Sequence, residues 1–231
     1  MNPHCFSFTP LVICVTECTT AKVADIVFIV DGSGSIGNAN FQLMRNFLSG
    51  LLKELEVSLK AVRVGLVMYS DQPQPEFYLN THESKTDVLQ SIKLLQYHGG
   101  STYTGAALKL AKDQMFTRDK GSRRDTGVQQ IAIIITDGES HDNVSAPALE
   151  LRNSGVNVYA LGIKNASVKQ LGQIASHPTR NYVFTIDDFV KLNSLEKNLT
   201  RRICHDITKK KPGKPKKQGR CPLQCLKVAN V

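Results

Sequence analysis

The chain has 231 residues, 41% of them hydrophobic, which suits one domain of ordinary size plus tails and excludes a wholly disordered protein. No stretch reaches the ~18 uninterrupted apolar residues of a membrane span. Of the +9 net charge, seven units lie between residues 209 and 220 (Lys209, Lys210, Lys211, Lys214, Lys216, Lys217 and Arg220), so the remainder is nearly neutral at +2; the cysteines at the chain's edges and its three sequons argue against a nuclear life, and no nucleic-acid partner is expected.

Residues 1–21 include a mostly apolar stretch at 6–15 that no Lys or Arg precedes and no clear small-residue cleavage site follows. That reads as a degenerate signal segment or as the interior of a longer chain. Cys5, Cys14 and Cys18 fall here, Cys204, Cys221 and Cys225 at the other end, and none between residues 19 and 203. An even count confined to the edges suggests disulfide bracing in an oxidising compartment. The sequons at Asn143, Asn165 and Asn198, candidate N-glycosylation sites, point the same way.

The first strong element is Ile26-Val27-Phe28-Ile29-Val30-Asp31, apolar at every position until it meets an acid. Such a run suits a parallel strand buried on both faces. After the small polar loop Gly32-Ser33-Gly34-Ser35-Ile36-Gly37, Phe41, Met44, Phe47, Leu48, Leu51, Leu52 and Leu55 recur at helical spacing and predict a helix to about residue 57. A second strand is expected over 62–70, a turn over 72–75, a short edge strand over 76–79 and a helix over 86–95. The loop Gly99-Gly100-Ser101-Thr102-Tyr103-Thr104-Gly105 leads into a helix through Ala106, Leu110, Ala111 and Met115, and residues 120–127 are polar and loop-like. A further buried run, Gln130-Ile131-Ala132-Ile133-Ile134-Ile135-Thr136-Asp137, again ends on an acid. A helix over 146–152, strands over 156–162 and 182–186 with a short helix over 168–175 between them, and a last helix over 189–203 complete the pattern. Strands alternating with helices predict an α/β fold, a doubly wound, mostly parallel sheet with helices on both faces. The tail from Lys209, rich in Pro, Gly and Lys, reads as an extended linker and lacks the glycine at every third position of a collagen helix.

Two buried strands that end on Asp31 and Asp137 would, as sheet neighbours, bring two carboxylates to one rim. Ser33 and Ser35 lie on the loop that Asp31 opens, and Thr102 or Thr104 on the glycine loop. Carboxylates and hydroxyls without His or Cys form an oxygen-only set that suits a hard ion such as Mg²⁺ or Mn²⁺ and not zinc. The plainer reading is that Asp31 and Ser33 only cap the following helix; the recurrence of the acid at Asp137 weighs against it. Gly32 to Gly37 also spells G-x-G-x-x-G, but Asp31 would repel a pyrophosphate, and the next acid at a strand end, Asp71, is 34 residues past Gly37 where a dinucleotide fold has it about 20 on. Ser140, His141 and Asp142 are consecutive, whereas a hydrolytic triad joins separated segments. His141 reads as a solvated loop residue, and no enzyme is expected.

The segments Asp31-Gly32-Ser33-Gly34-Ser35, Gly99 to Gly105 and Thr136-Asp137-Gly138 resemble the three parts of the metal-ion-dependent adhesion site of von Willebrand factor A domains. The resemblance covers about residues 22–204, leaving 1–21 and a basic tail at 205–231. It implies a six-stranded sheet with five parallel strands and an antiparallel third strand at one edge. It also implies Asp31, Ser33, Ser35, Thr102 and Asp137 as direct or water-mediated ligands of Mg²⁺ or Mn²⁺. The phrase Ala24-Asp25-Ile26-Val27-Phe28, with Cys18 and Cys204 flanking, is most similar to A domains of type VI collagen-like chains, with matrilins and fibril-associated collagens next. In that fold the first strand begins and the last helix ends opposite the metal, so Cys18 and Cys204 would pair. Cys5, Cys14, Cys221 and Cys225 are left unassigned. Integrin A-type domains carry an extra helix beside the metal; here Gly162 runs through residues 163–167 straight into the next helix, so their way of gripping collagen does not carry over.

The expected function is a secreted matrix or adhesion module that binds collagens, other matrix proteins or cell-surface proteins through a cation and a partner carboxylate. Two alternatives are a structural matrix component with a non-essential metal site and a binder of sulfated glycosaminoglycans acting through the tail.

Overall fold

The computed structural model describes residues 22–208. The expectations for Cys5, Cys14, Cys18, Cys221, Cys225 and the basic residues from Lys209 to Arg220 therefore lie outside the described residues.

Strand β1 (Ala24–Asp31) is buried along its whole length and pairs in parallel with β2 (Val62–Tyr69) on one side and β4 (Gln129–Thr136) on the other. The apolar run that predicted a two-faced strand thus occupies the middle of the sheet. Beyond β2 lies the antiparallel β3 (Pro73–Phe77), and beyond β4 come β5 (Val156–Ile163) and β6 (Val183–Ile186), giving the order β3-β2-β1-β4-β5-β6. The six-stranded, mostly parallel sheet is the one expected.

Helix α1 (Gly37–Lys53) packs against α2 (Lys85–Leu94) and α6 (Leu192–Thr208); α4 (Ser145–Asn153) packs against α3 (Thr104–Leu110) and α5 (Val168–Ile174). The chain moves one way along the sheet from β1 to β2 and the opposite way from β4 to β6. Right-handed crossovers then place the two helix groups on opposite faces. The strand order reverses between β1 and β4, and open α/β sheets bind ligands outside the carboxyl ends of the strands at such a reversal.

Three boundaries differ from expectation. The edge strand occupies Pro73–Phe77, not 76–79, so the turn moves back to residues 70–72. Pro73 and Pro75 marked a turn in the sequence, yet an edge strand with only one partner tolerates prolines that cannot donate outward. Helix α1 stops at Lys53, and Leu55 and Val57 continue the apolar pattern as buried residues of the connection. Helix α6 runs to Thr208, where Asp206 accepts hydrogen bonds from Tyr159 Oη (2.9 Å) and Asn157 Nδ2 (3.0 Å). Burial raises the Tyr159 hydroxyl far above the usual phenol range, and it pushes Tyr182 beside it up to about 12. Cys204 is disulfide-bonded. As read from the sequence, no helix intervenes between β5 and α5, and none of the described helices is long and apolar enough to cross a membrane.

Candidate metal centre

Asp31 ends β1 with its side chain fully buried. Its Oδ1 accepts the Ser33 N–H (2.8 Å) and its Oδ2 the Thr136 hydroxyl (2.7 Å), so the last residue of the neighbouring β4 orients it. Asp137, one residue past β4 and 5% exposed, accepts the Ser35 hydroxyl at 2.6 Å. The Ser33 and Ser35 hydroxyl oxygens are 3.2 Å apart. Asp31, Ser33, Ser35 and Asp137 thus meet at one rim through a continuous hydrogen-bonded chain.

The second segment is docked by its backbone. Gly34 N–H donates to the Gly100 carbonyl (2.8 Å), and Tyr103 N–H to Ser70 (3.1 Å). Asp71 Oδ1 accepts the Ser101 N–H at 2.8 Å, and these bonds to Ser101 hold its carboxyl below the usual range. Gly100 has φ +105°, and a Cβ there would meet Asp71 Oδ2 at 2.8 Å, so glycine is required on both counts. The Tyr97 hydroxyl accepts the Gly37 N–H (3.1 Å) and lies 3.1 Å from the Ser33 carbonyl, bracing the β1–α1 loop.

Thr102 is buried and held by an exchange with the third segment: its N–H donates to His141 Nδ1 (3.1 Å), and its carbonyl accepts the His141 N–H (2.8 Å). His141 is exposed as expected, but it is also a structural acceptor. Its neighbours form a clamp. Ser140 Oγ accepts from Thr104 N–H (3.0 Å), and the Asp142 carboxylate accepts from Gly105 and Ala106 N–H, both at 2.7 Å. Helix α3 has no capping side chain of its own, so Asp142 caps it from another loop. Sequence reasoning missed this, because a search for a local cap stops at Thr104; the usable signal was Ser140-x-Asp142 close behind Asp137. Asp142→Ala is expected to cost about 1–2 kcal/mol in chemical denaturation and to weaken Mn²⁺ binding by about 10–100-fold in calorimetry, as loss of an outer partner does.

Burial raises the Asp31 pKa, the charge of Asp137 adds to the rise, and the Ser33 and Thr136 hydrogen bonds oppose it. Among the described residues neither Asp31 nor Asp137 has a Lys, Arg or His partner within salt-bridge distance. Asp25, at the opposite end of the same strand and equally buried, has Arg123 Nη2 at 2.7 Å. Two buried acids faced only by hydroxyls and amides fit a cation, since buried charges are otherwise paired. No group of three or more His, Cys, Asp and Glu among the described residues could hold a metal ion, so the hydroxyls must complete any ligand set here.

The sequence model of the von Willebrand factor type A domain matches residues 25–198. The chain is 39% identical over 197 residues to the collagen alpha-1(XII) chain of Notophthalmus viridescens, covering 85% of this chain and 21% of that one. It is 37% identical over 189 residues to vitrin of Homo sapiens, covering 82% and 27% respectively. It therefore spans about a quarter or less of these two relatives. Among solved structures, proximal thread matrix protein 1 from the mussel byssus, with a zinc-occupied metal-ion-dependent adhesion site, superposes with a TM-score of 0.75 at 29% identity over 79% of this chain and 48% of that one.

Proposed function

Because the chain belongs to the von Willebrand factor type A domain family, we propose that it is a non-enzymatic extracellular adhesion or matrix-assembly module. It holds a divalent cation at Asp31, Ser33, Ser35, Thr102 and Asp137 and binds matrix proteins through it. The observation that carries this reading is the pair of buried carboxylates linked through Ser33 and Ser35, with no basic partner among the described residues. When bound, the cation supplies a positive charge with exchangeable coordination positions that a partner's carboxylate can take. The protein's own part is to hold its short oxygen side chains in place through Thr136, Tyr97 and the Ser140–Asp142 clamp, and no bond is broken.

Mg²⁺ or Mn²⁺ is the proposed ion. Zinc occupies the site of this type in the mussel protein, although an oxygen-only set favours harder ions. Zinc binds most ligand sets more tightly than Mg²⁺ or Mn²⁺, so supply decides the occupant as much as donor type. We also propose the division into residues 1–21, a domain at 22–204 and a basic tail at 205–231, and the pairing of Cys204 with Cys18. Seven basic residues and no acid between 209 and 220 favour a second contact, with a sulfated glycosaminoglycan.

A pull-down from matrix extract tests the reading. Partners should be retained in Mg²⁺, released by chelator and absent with Asp137→Ala. Retention indifferent to chelator would refute it. If that retention falls steeply with NaCl, as screening over ~8 Å at physiological salt requires, and is lost in a chain ending at Thr208, the tail is the binding element.

A further inference from the structure

Two of the three sequons lie on the rim that carries Asp31 and Asp137. Asn143 belongs to the β4–α4 loop, six residues after Asp137, and its backbone carbonyl packs against Gly105 at the start of α3. Its side chain is exposed; Oδ1 accepts the Ser145 N–H (2.9 Å), which does not consume the amide nitrogen that would carry a sugar. Asn165 is exposed in the turn after β5. β5 pairs with β4 so that Gly162 lies opposite Thr136, and Asn165 therefore leaves the sheet one strand over from Asp137 at the same end. The β4–α4 loop is tied to the first turn of α5, just past the Asn165 turn, since Ser140 N–H donates to Gln170 Oε1 at 2.9 Å. Asn198 is different: it is exposed in the middle of α6, but Leu199 and Thr200 of its sequon are buried.

We propose that Asn143 and Asn165 carry N-linked glycans that wall off the α4–α5 side of the metal rim, so that a partner reaches Asp31 and Asp137 from the side bounded by Asp71 and Tyr97. The side of Asp71 and Tyr97 carries no sequon. The inference rests on the proposed extracellular role, because only a chain in the secretory pathway meets the glycan donor, a polyprenyl-pyrophosphate-linked oligosaccharide. The asparagine Nδ2 forms a bond to the anomeric carbon and loses one proton. The bond from that carbon to the pyrophosphate breaks, and polyprenyl pyrophosphate leaves. Nothing is oxidised or reduced. The attached glycan is bulky, hydrated and confined to the surface. Beside a site whose ligands are short side chains, it would exclude a macromolecule while leaving ions free to pass.

The test uses the full chain secreted from cultured vertebrate cells behind a supplied leader. Peptide mass spectrometry after glycosidase treatment in heavy-oxygen water should mark Asn143 and Asn165. An amine-reactive polyethylene glycol of about 5 kDa then probes the wall. Labelling of Lys164 and Lys169, both exposed beside Asn165, should rise severalfold once the glycans are removed, while the exposed Lys93 on α2 serves as the unchanged reference. The double variant Asn143→Gln/Asn165→Gln should label like the deglycosylated protein. Unmodified Asn143 and Asn165 in the secreted protein, or equal labelling of Lys164 and Lys169 with and without glycans, would overturn the proposal. Neither readout involves metal, so a failure of the cation reading would show separately, in calorimetry.

Discussion

Asp31→Ala and Asp137→Ala are each expected to abolish Mg²⁺ and Mn²⁺ binding while the fold survives. Removing a direct oxygen ligand should cost more than the ~100-fold that loss of an outer partner reaches. The fold survives because neither acid holds the domain together: Asp31 orients its own loop and Asp137 receives one serine hydroxyl. The metal-free protein should even gain stability from Asp31→Asn. Burial raises the Asp31 pKa above its ordinary 3.8 in the folded chain, with the Asp137 charge adding. An acid whose folded pKa is raised makes the folded state less stable at high pH than at low. The penalty is absent below the unfolded pKa, grows as pH rises toward the folded pKa and is complete above it. The gain from Asp31→Asn should therefore be present at pH 7 without metal, shrink as pH falls toward 3.8, and reverse in saturating Mn²⁺, which stabilises only the wild type. Wild-type calorimetric affinity in Asp31→Ala would remove Asp31 from the ligand set. A metal-free Asp31→Asn protein less stable than wild type at pH 7 would show that its hydrogen bonds outweigh its charge.

Much of this arrangement was legible because it follows from strand ends. A run apolar at every position specifies a central strand, and the acid that ends it must lie on the carboxyl rim. Ile26 to Asp31 and Ile131 to Asp137 obey that logic, and the structure places them side by side. What escaped were contacts between segments distant in sequence. The bonds from Asp142 to Gly105 and Ala106 join two loops whose separate compositions reveal nothing of each other. Tyr97 lies between the helix expected over 86–95 and the glycine loop that begins at Gly99, in a stretch with no signal of its own, yet its hydroxyl supports the Ser33 loop. The displaced β3 has a different cause, for Pro73 and Pro75 are turn signals in sequence and harmless on an edge that has one partner. The polar segment 120–127 read as an ordinary loop, although it contains the residue that secures the other end of the sheet.

That residue is Arg123, and Arg123→Ala is expected to destabilise the domain by about 3–5 kcal/mol. Asp25 near the start of β1 is 0% exposed, and Arg123 closes over it at 15% exposure. The guanidinium donates to Asp25 Oδ1 through Nε (2.9 Å) and Nη2 (2.7 Å), and the Arg123 backbone N–H donates to Oδ2 (2.6 Å). Gln130 Nε2 adds a bond to Oδ2 at 2.7 Å. The same Nη2 also lies 2.9 Å from the Ala24 carbonyl and 2.7 Å from that of Ala61, so one side chain ties the starts of β1 and β2. Deleting it leaves a buried carboxylate with amide donors and no directly bonded countercharge, only the charge of Arg63 on the neighbouring strand. It also strands two carbonyls at the sheet's end. Asp25→Asn/Arg123→Ala should recover part of the loss, because the uncompensated charge is removed along with its partner. Chemical denaturation of the three proteins decides the matter. A loss below about 1 kcal/mol for Arg123→Ala, the range of an exposed pair, would mean that water replaces the guanidinium. In that case burial without a basic partner would no longer separate Asp31 from Asp25. Mn²⁺ affinity should meanwhile be unchanged in Arg123→Ala, since most of the length of β1 (Ala24–Asp31), at ~3.3 Å per residue, separates Asp25 near one rim from Asp31 at the other.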